Sequence, residues 1–125
     1  MNNHSFSFRK RLKSFYYAFN GVWLLLRYEP NAWIHAVAAI VVILAGFFFH
    51  ISSFEWCFIC FAIGSVIVAE GFNTAIEKIA DLISPEYHPI IKQVKDIAAG
   101  CVLITAIAAA CVGLIIFLPK VFLFF

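Results

Sequence analysis

The sequence predicts an all-α membrane protein in which an amphipathic helix lying in the bilayer interface precedes three membrane-spanning helices. Two observations carry this expectation. Of 125 residues, 64% are apolar and only 13% are Asp, Glu, Lys or Arg, against about 45–50% and about 25% in soluble domains. The apolar residues are also gathered into three long runs. A domain this small has too high a surface-to-volume ratio to hide that much apolar area from water, and the low hydrophobicity that keeps chains disordered is absent. A net charge of +2 is too small for a free nucleic-acid binder, which needs many cations against phosphate.

The whole chain, 1–125, reads as one membrane domain. In the first element, expected over about 5–28, Leu12, Phe15, Tyr16, Phe19, Val22, Trp23 and Leu26 recur at three and four. Arg9, Lys10, Lys13, Ser14, Tyr17 and Asn20 fall on other faces. This is a basic amphipathic helix of interfacial type. A cleaved signal peptide is disfavoured, because no A-x-A-like site is present and Arg27 and Glu29 interrupt the apolar run.

The first span, 32–49, carries His35 as its only polar side chain and is just long enough to cross the hydrocarbon. The second, 54–83, begins with an apolar run to Ala69 and continues as GFNTAIEKIADLI, still helical in pattern, so it is expected to project past the bilayer. The third, 89–118, holds only Thr105, two cysteines and small residues among its aliphatics from Ile97 onward. Its Ala and Gly content suits close helix approach in lipid. Cys57 and Cys60 form a CxxC with no His or second CxxC beside it, which favours small-residue packing over metal or redox chemistry.

Orientation follows from the basic residues. Arg9, Lys10, Arg11, Lys13 and Arg27 precede the first span, Lys78, Lys92 and Lys95 lie between the second and third, and Lys120 alone follows the third. The amino end and the second connection are therefore expected in the cytoplasm, and the carboxyl end outside.

The acids are placed as unevenly. Glu29, Glu70, Glu77, Asp81 and Asp96 all fall near the cytoplasmic boundary. At about 100° per residue, Glu70, Asn73, Glu77 and Asp81 occupy an arc of about 80° on one helix face. A carboxylate near the bilayer centre costs about 2.5–3.5 kcal/mol and less toward the interface, so the row needs partners. SPEYHP supplies a helix start, with Ser84 as expected N-cap and Pro85 or Pro89 in the first turn. Lys92, Lys95 and Asp96 then share a face.

Two readings of these groups compete. In one, Glu77 and Asp81 merely pair with Lys92 and Lys95. In the other, carboxylates and an Asn at a membrane rim are oxygen ligands suited to Mg²⁺, held by one or two carboxylates plus substrate phosphates, with a lysine carrying phosphate charge and a deeper acid serving as general base for a lipid hydroxyl. Neither GxxxxGK[ST] nor GxGxxG occurs.

Three stretches, RYEPNAWIH (27–35), EGFNTAIEKIADLI (70–83) and EYHPIIKQVKDIAAG (86–100), resemble in content and order the small prokaryotic diacylglycerol kinases, a family that includes the undecaprenol kinases. The resemblance covers about residues 15–119. It implies a membrane-embedded homotrimer with active sites shared between neighbours, transferring the γ-phosphoryl of MgATP to a lipid's primary hydroxyl. By the same resemblance Glu70 is the base that meets the lipid, Glu29 and Glu77 carry Mg²⁺ and hold the triphosphate, Asn73 orients the reacting groups, and Lys95 with Asp96 contacts the nucleotide. Tyr17, Asp81, Glu86, Tyr87 and His88 match nucleotide-side positions, as does a basic residue of the surface helix, Lys10 or Arg9. IEKIADLISPEYHPIIKQVKDIAAG and LIIFLP lean toward the undecaprenol branch, so the lipid is expected to be a polyprenol rather than diacylglycerol.

Two readings outside this family stay open: a small ion-coupled transporter using Glu70 as its intramembrane carboxylate, and a non-enzymatic membrane module whose acids are only salt-bridged. His35 reads as a buried hydrogen-bonded histidine near the site mouth rather than a metal ligand. His50 reads as a loop residue, His4 as part of a mobile end, and Phe122, Phe124 and Phe125 as an outer-interface anchor.

Overall fold

In a computed structural model, which describes residues 7–125, the chain forms four helices: α1 (Phe8–Tyr28), α2 (Pro30–Phe48), α3 (Ser53–Ile83) and α4 (Pro89–Phe124). The described residues contain no strand. Residues 5 and 6, at the expected start of the first helix, and His4 lie outside the described residues. The last three helices are long and apolar enough to cross a membrane, and the chain is a multi-pass membrane protein. At about 1.5 Å per residue, α3 with 31 residues and α4 with 36 outreach the hydrocarbon core, about 30 Å thick.

Each break between helices has a local cause. Pro30 disfavours helical backbone at the residue before it, and Glu29 is extended (φ −111°, ψ 109°) while Pro30 opens α2 at its first turn. The carboxylate of Glu29 is thereby set at the corner between α1 and α2. The apolar stripe of α1, with Phe15, Phe19 and Trp23, is left exposed by the rest of the chain, as suits a helix whose apolar face meets lipid. Arg27 lies over the rings of Trp23 and Tyr28, 5.8 and 5.5 Å from their centroids, which anchors the end of α1 by cation–π attraction.

Between α2 and α3 the N–H of Ile51 donates to Gly46 O and that of His50 to Phe47 O. These are the two bonds of a Schellman motif. His50 occupies its left-handed position with φ 52°, where glycine is the usual residue. A capping box follows at once: Ser52 Oγ accepts from the N–H of Glu55, and Glu55 Oε1 accepts from that of Ser52. The two motifs reverse the chain within a few residues and bury Ile51, which packs with Ile59 and Ile116 against Phe49, Trp56 and Phe117.

Gly46 is fixed by this packing. A Cβ there would stand 2.5 and 2.8 Å from Cη2 and Cζ2 of Trp56, whose ring is itself held against Phe47 at 4.9 Å between centroids. Overpacking of this kind costs about 1–3 kcal/mol. Gly46→Ala is expected to lower the unfolding midpoint of the purified protein in detergent, and an unchanged midpoint would refute the tight packing at Trp56.

One expectation is corrected, and one helix is longer than the span expected within it. Ser84 is the C-cap of α3, its N–H bonded to Ala80 O and its hydroxyl donating to Glu86 O. The N-cap of α4 is His88, whose Nδ1 accepts from the N–H of Ile90, with Pro89 as first helical residue. At the far end α4 does not stop at residue 118 but runs through Pro119 to Phe124. A proline inside a helix removes one backbone bond, yet such breaks are tolerated where neighbours hold the segment. Here Phe124 packs on Phe48 and Phe49, and Lys120 Nζ bonds Glu55 Oε2 at 2.7 Å. The ring of Phe124 is thus engaged within the chain, while Phe122 and Phe125 remain exposed.

Candidate functional site

The buried polar side chains among the described residues fall on one short stretch of α3: Glu70, Asn73 and Thr74, between 2% and 8% exposed. Helical spacing makes this so, because positions 70, 73, 74 and 77 lie on adjoining faces. Glu70 Oε2 lies 3.5 Å from His35 Nε2 on α2. Asn73 Nδ2 donates to Glu77 Oε1 at 3.4 Å, whereas Asn73 Oδ1 and Thr74 Oγ1 are buried with no protein partner. Buried polar atoms are nearly always satisfied, so two free oxygens one residue apart are notable and mark this stretch of α3 as the candidate site. Thr74 was not anticipated from sequence. Its position four residues after Glu70 is the signal that would have found it.

The next helix brings cations to the same end of the chain. Lys95 Nζ reaches across to Asp81 Oδ1 at 2.5 Å, while Lys92 pairs within its own helix with Asp96 Oδ2 at 2.6 Å. The cross-helix neutralisation expected of a purely salt-bridged rim is therefore half present: Asp81 is paired and Glu77 is not. Glu29 makes no side-chain capping bond at its corner. Of the remaining predicted residues, His88 caps α4, and Glu86 and Tyr87 are exposed in the turn before it. Lys10 and Tyr17 stand exposed on α1. The described residues show no contact from either to the acids of α3.

Two hollows border the stretch. One, of about 250 Å³ between α2, α3 and α4, has His35 as its only polar lining residue among alanines, valines, isoleucines and Gly113. The other, of about 530 Å³ between α1 and α3, is apolar apart from Thr74 and Lys78. The four cysteines are free and exposed.

A divalent cation fits this donor set in one form only. No group of three or more His, Cys, Asp or Glu side chains able to hold a metal occurs among the described residues. Glu29 at the α1–α2 corner, and Glu77 and the free oxygen of Asn73 on α3, are hard oxygen donors of the kind that Mg²⁺ takes from protein when phosphates complete its shell.

Comparison with known proteins bears on the same residues. A family model described as prokaryotic diacylglycerol kinase matches residues 16–117. The chain is 42% identical over 118 residues to the undecaprenol kinase of Bacillus subtilis, covering 94% of this chain and 96% of that protein. It is 37% identical over 109 residues to the diacylglycerol kinase of Synechocystis, covering 86% of this chain and 62% of that protein. It is 25% identical over 109 residues to the diacylglycerol kinase of Escherichia coli K12, covering 87% and 89%. Readings as an ion-coupled transporter or a non-enzymatic module are not favoured by these matches. The chain belongs to the prokaryotic diacylglycerol kinase family and is a membrane lipid kinase, with ATP as its co-substrate.

Proposed function

We propose that the protein transfers the γ-phosphoryl of MgATP to the primary hydroxyl of undecaprenol, with Glu70 as general base. The observation that carries this is Glu70 itself, a carboxylate 2% exposed at the end of a stretch, 56–69, that holds no other charged side chain, with Glu77 two turns further along the same helix. Preference for undecaprenol over diacylglycerol rests on the relative that matches almost the whole chain at 42% identity, an undecaprenol kinase.

Residues take their roles from position and charge. Glu29 and Glu77 would hold Mg²⁺, which would supply neutralisation of the phosphate charge. Asn73, its amide on Glu77, keeps its free oxygen for the reacting groups. Lys95 leaves Asp81 to meet phosphate, and Asp96, Asp81, Glu86, Tyr87 and His88 border the nucleotide. Tyr17 and Lys10 approach it from the surface helix. Phosphoryl transfer asks mostly for positioning and charge stabilisation, which a few side chains on rigid helix ends can supply. The 1–125 chain acts as a single membrane domain within a homotrimer, in which a neighbour covers the polar face of α3. It sits in the bacterial inner membrane with its amino end and the turn at 84–88 in the cytoplasm and its carboxyl end outside.

The test is a paired assay of purified protein in detergent micelles with MgATP and either undecaprenol or diacylglycerol. Phosphate transfer to both, faster to undecaprenol, is expected. Faster transfer to diacylglycerol would reverse the substrate assignment, and no transfer to either would overturn the proposal.

A further inference from the structure

His35 is a polar residue on a helix whose remaining side chains, apart from Asn31 at its first turn, are apolar. Intramembrane ionisable residues of this sort are costly and face something specific. One side of the ring meets Glu70, with Nε2 3.5 Å from Oε2. The ring also borders the apolar hollow of about 250 Å³. No other cation among the described residues pairs with Glu70. On its own helix the near polar groups are Asn73, whose amide is taken by Glu77, and Thr74, whose hydroxyl is unpartnered. Among the described residues, His35 is thus the one side chain recorded as an ion-pair partner of the Glu70 carboxylate.

We propose that His35 is the positioning residue of the general base. This rests on the reading of Glu70 as that base. The Nε2–H holds Oε2 and so leaves Oε1 for the hydroxyl of the lipid. The logic is that of a base oriented by a third group, as in nucleophile–base pairs elsewhere. A separation of 3.5 Å is long for a hydrogen bond, and contacts of this kind tighten once substrate enters. In the transfer step the hydroxyl O–H bond breaks toward Glu70 Oε1 as the oxygen bonds to the γ-phosphorus, and the bond from that phosphorus to the ADP oxygen breaks with its electron pair. The proton rests on Glu70 and His35 keeps its own.

The test measures kcat and KM for MgATP in detergent micelles containing undecaprenol for His35→Phe, His35→Asn, His35→Gln and Glu70→Gln. His35→Phe keeps ring bulk without the donor. It is expected to lose about ten-fold or more in kcat, in the range for groups that orient a functional ligand, with KM for MgATP unchanged. His35→Gln carries an amide N–H to nearly the same place and is expected to recover most of the rate. His35→Asn is equally polar but too short and is expected to stay slow, and it serves where the Phe variant does not fold. Wild-type kcat in His35→Phe or His35→Asn, or equal losses in the Asn and Gln variants, would overturn the positioning role. Glu70→Gln separates the two levels: if it is inactive while the His35 variants are fully active, only the role of His35 fails, and if it is active, the base assignment fails with it.

Discussion

Glu70→Gln is expected to lower kcat for lipid phosphorylation by about 10²–10⁴-fold, the usual worth of a general base, while MgATP binds as before. Gln keeps the volume and the polarity of the side chain, so the burial of residue 70 against α2 is preserved and only proton acceptance is lost. The measurement is a steady-state rate with saturating undecaprenol, beside equilibrium binding of MgATP to the same sample. Tight nucleotide binding with collapsed turnover places Glu70 at the chemical step. Loss of both would make it part of the nucleotide site instead. Full turnover would remove it from the mechanism.

Glu77→Gln is expected to act on the other limb of the reaction, weakening Mg²⁺-dependent nucleotide binding by about 10–100-fold or more, as loss of an oriented oxygen donor does. The change also removes the charge that accepts from Asn73 Nδ2, and Gln offers that amide an oxygen in the same place, so folding is expected to survive. Titration of activity against Mg²⁺ at fixed ATP is the check. A curve displaced to higher Mg²⁺ with a partly restored plateau supports the ligand role, and an unmoved curve refutes it. Together the two variants separate proton transfer from charge neutralisation along two turns of one helix.

Most of the architecture is legible in the residues because lipid imposes a strong and simple pattern. An apolar run long enough to cross the hydrocarbon has few alternatives, and the polar stripe of α3 follows from the helical repeat alone. Pairing between helices is a different matter. Asp81 meets Lys95, and Glu70 meets His35, through the depth and rotation at which α4 and α2 lie on α3, and periodicity within one helix carries no information about either. The cap of α4 escapes the sequence for a related reason. Pro85 and Pro89 both suit a first turn, and the choice falls to Pro89 because α3 extends to Ile83 and takes Ser84 as its own cap. Pro119 lies inside α4, where the bond from Lys120 to Glu55 and the rings around Phe124 hold the segment beyond it.

Those last contacts bear on more than the carboxyl end of α4. Lys120 pairs with Glu55 at one end of the α3–α4 hairpin and Lys95 pairs with Asp81 at the other. The separation in sequence between the two anchors is nearly equal on the two antiparallel helices. The pair of helices is therefore pinned at both ends like a strut of fixed length, and α4 cannot slide by one helical turn, about 5.4 Å, without breaking both pins together. In the proposed reaction, where Lys95 would leave Asp81 for phosphate, the pair of Lys120 with Glu55 alone would hold the register.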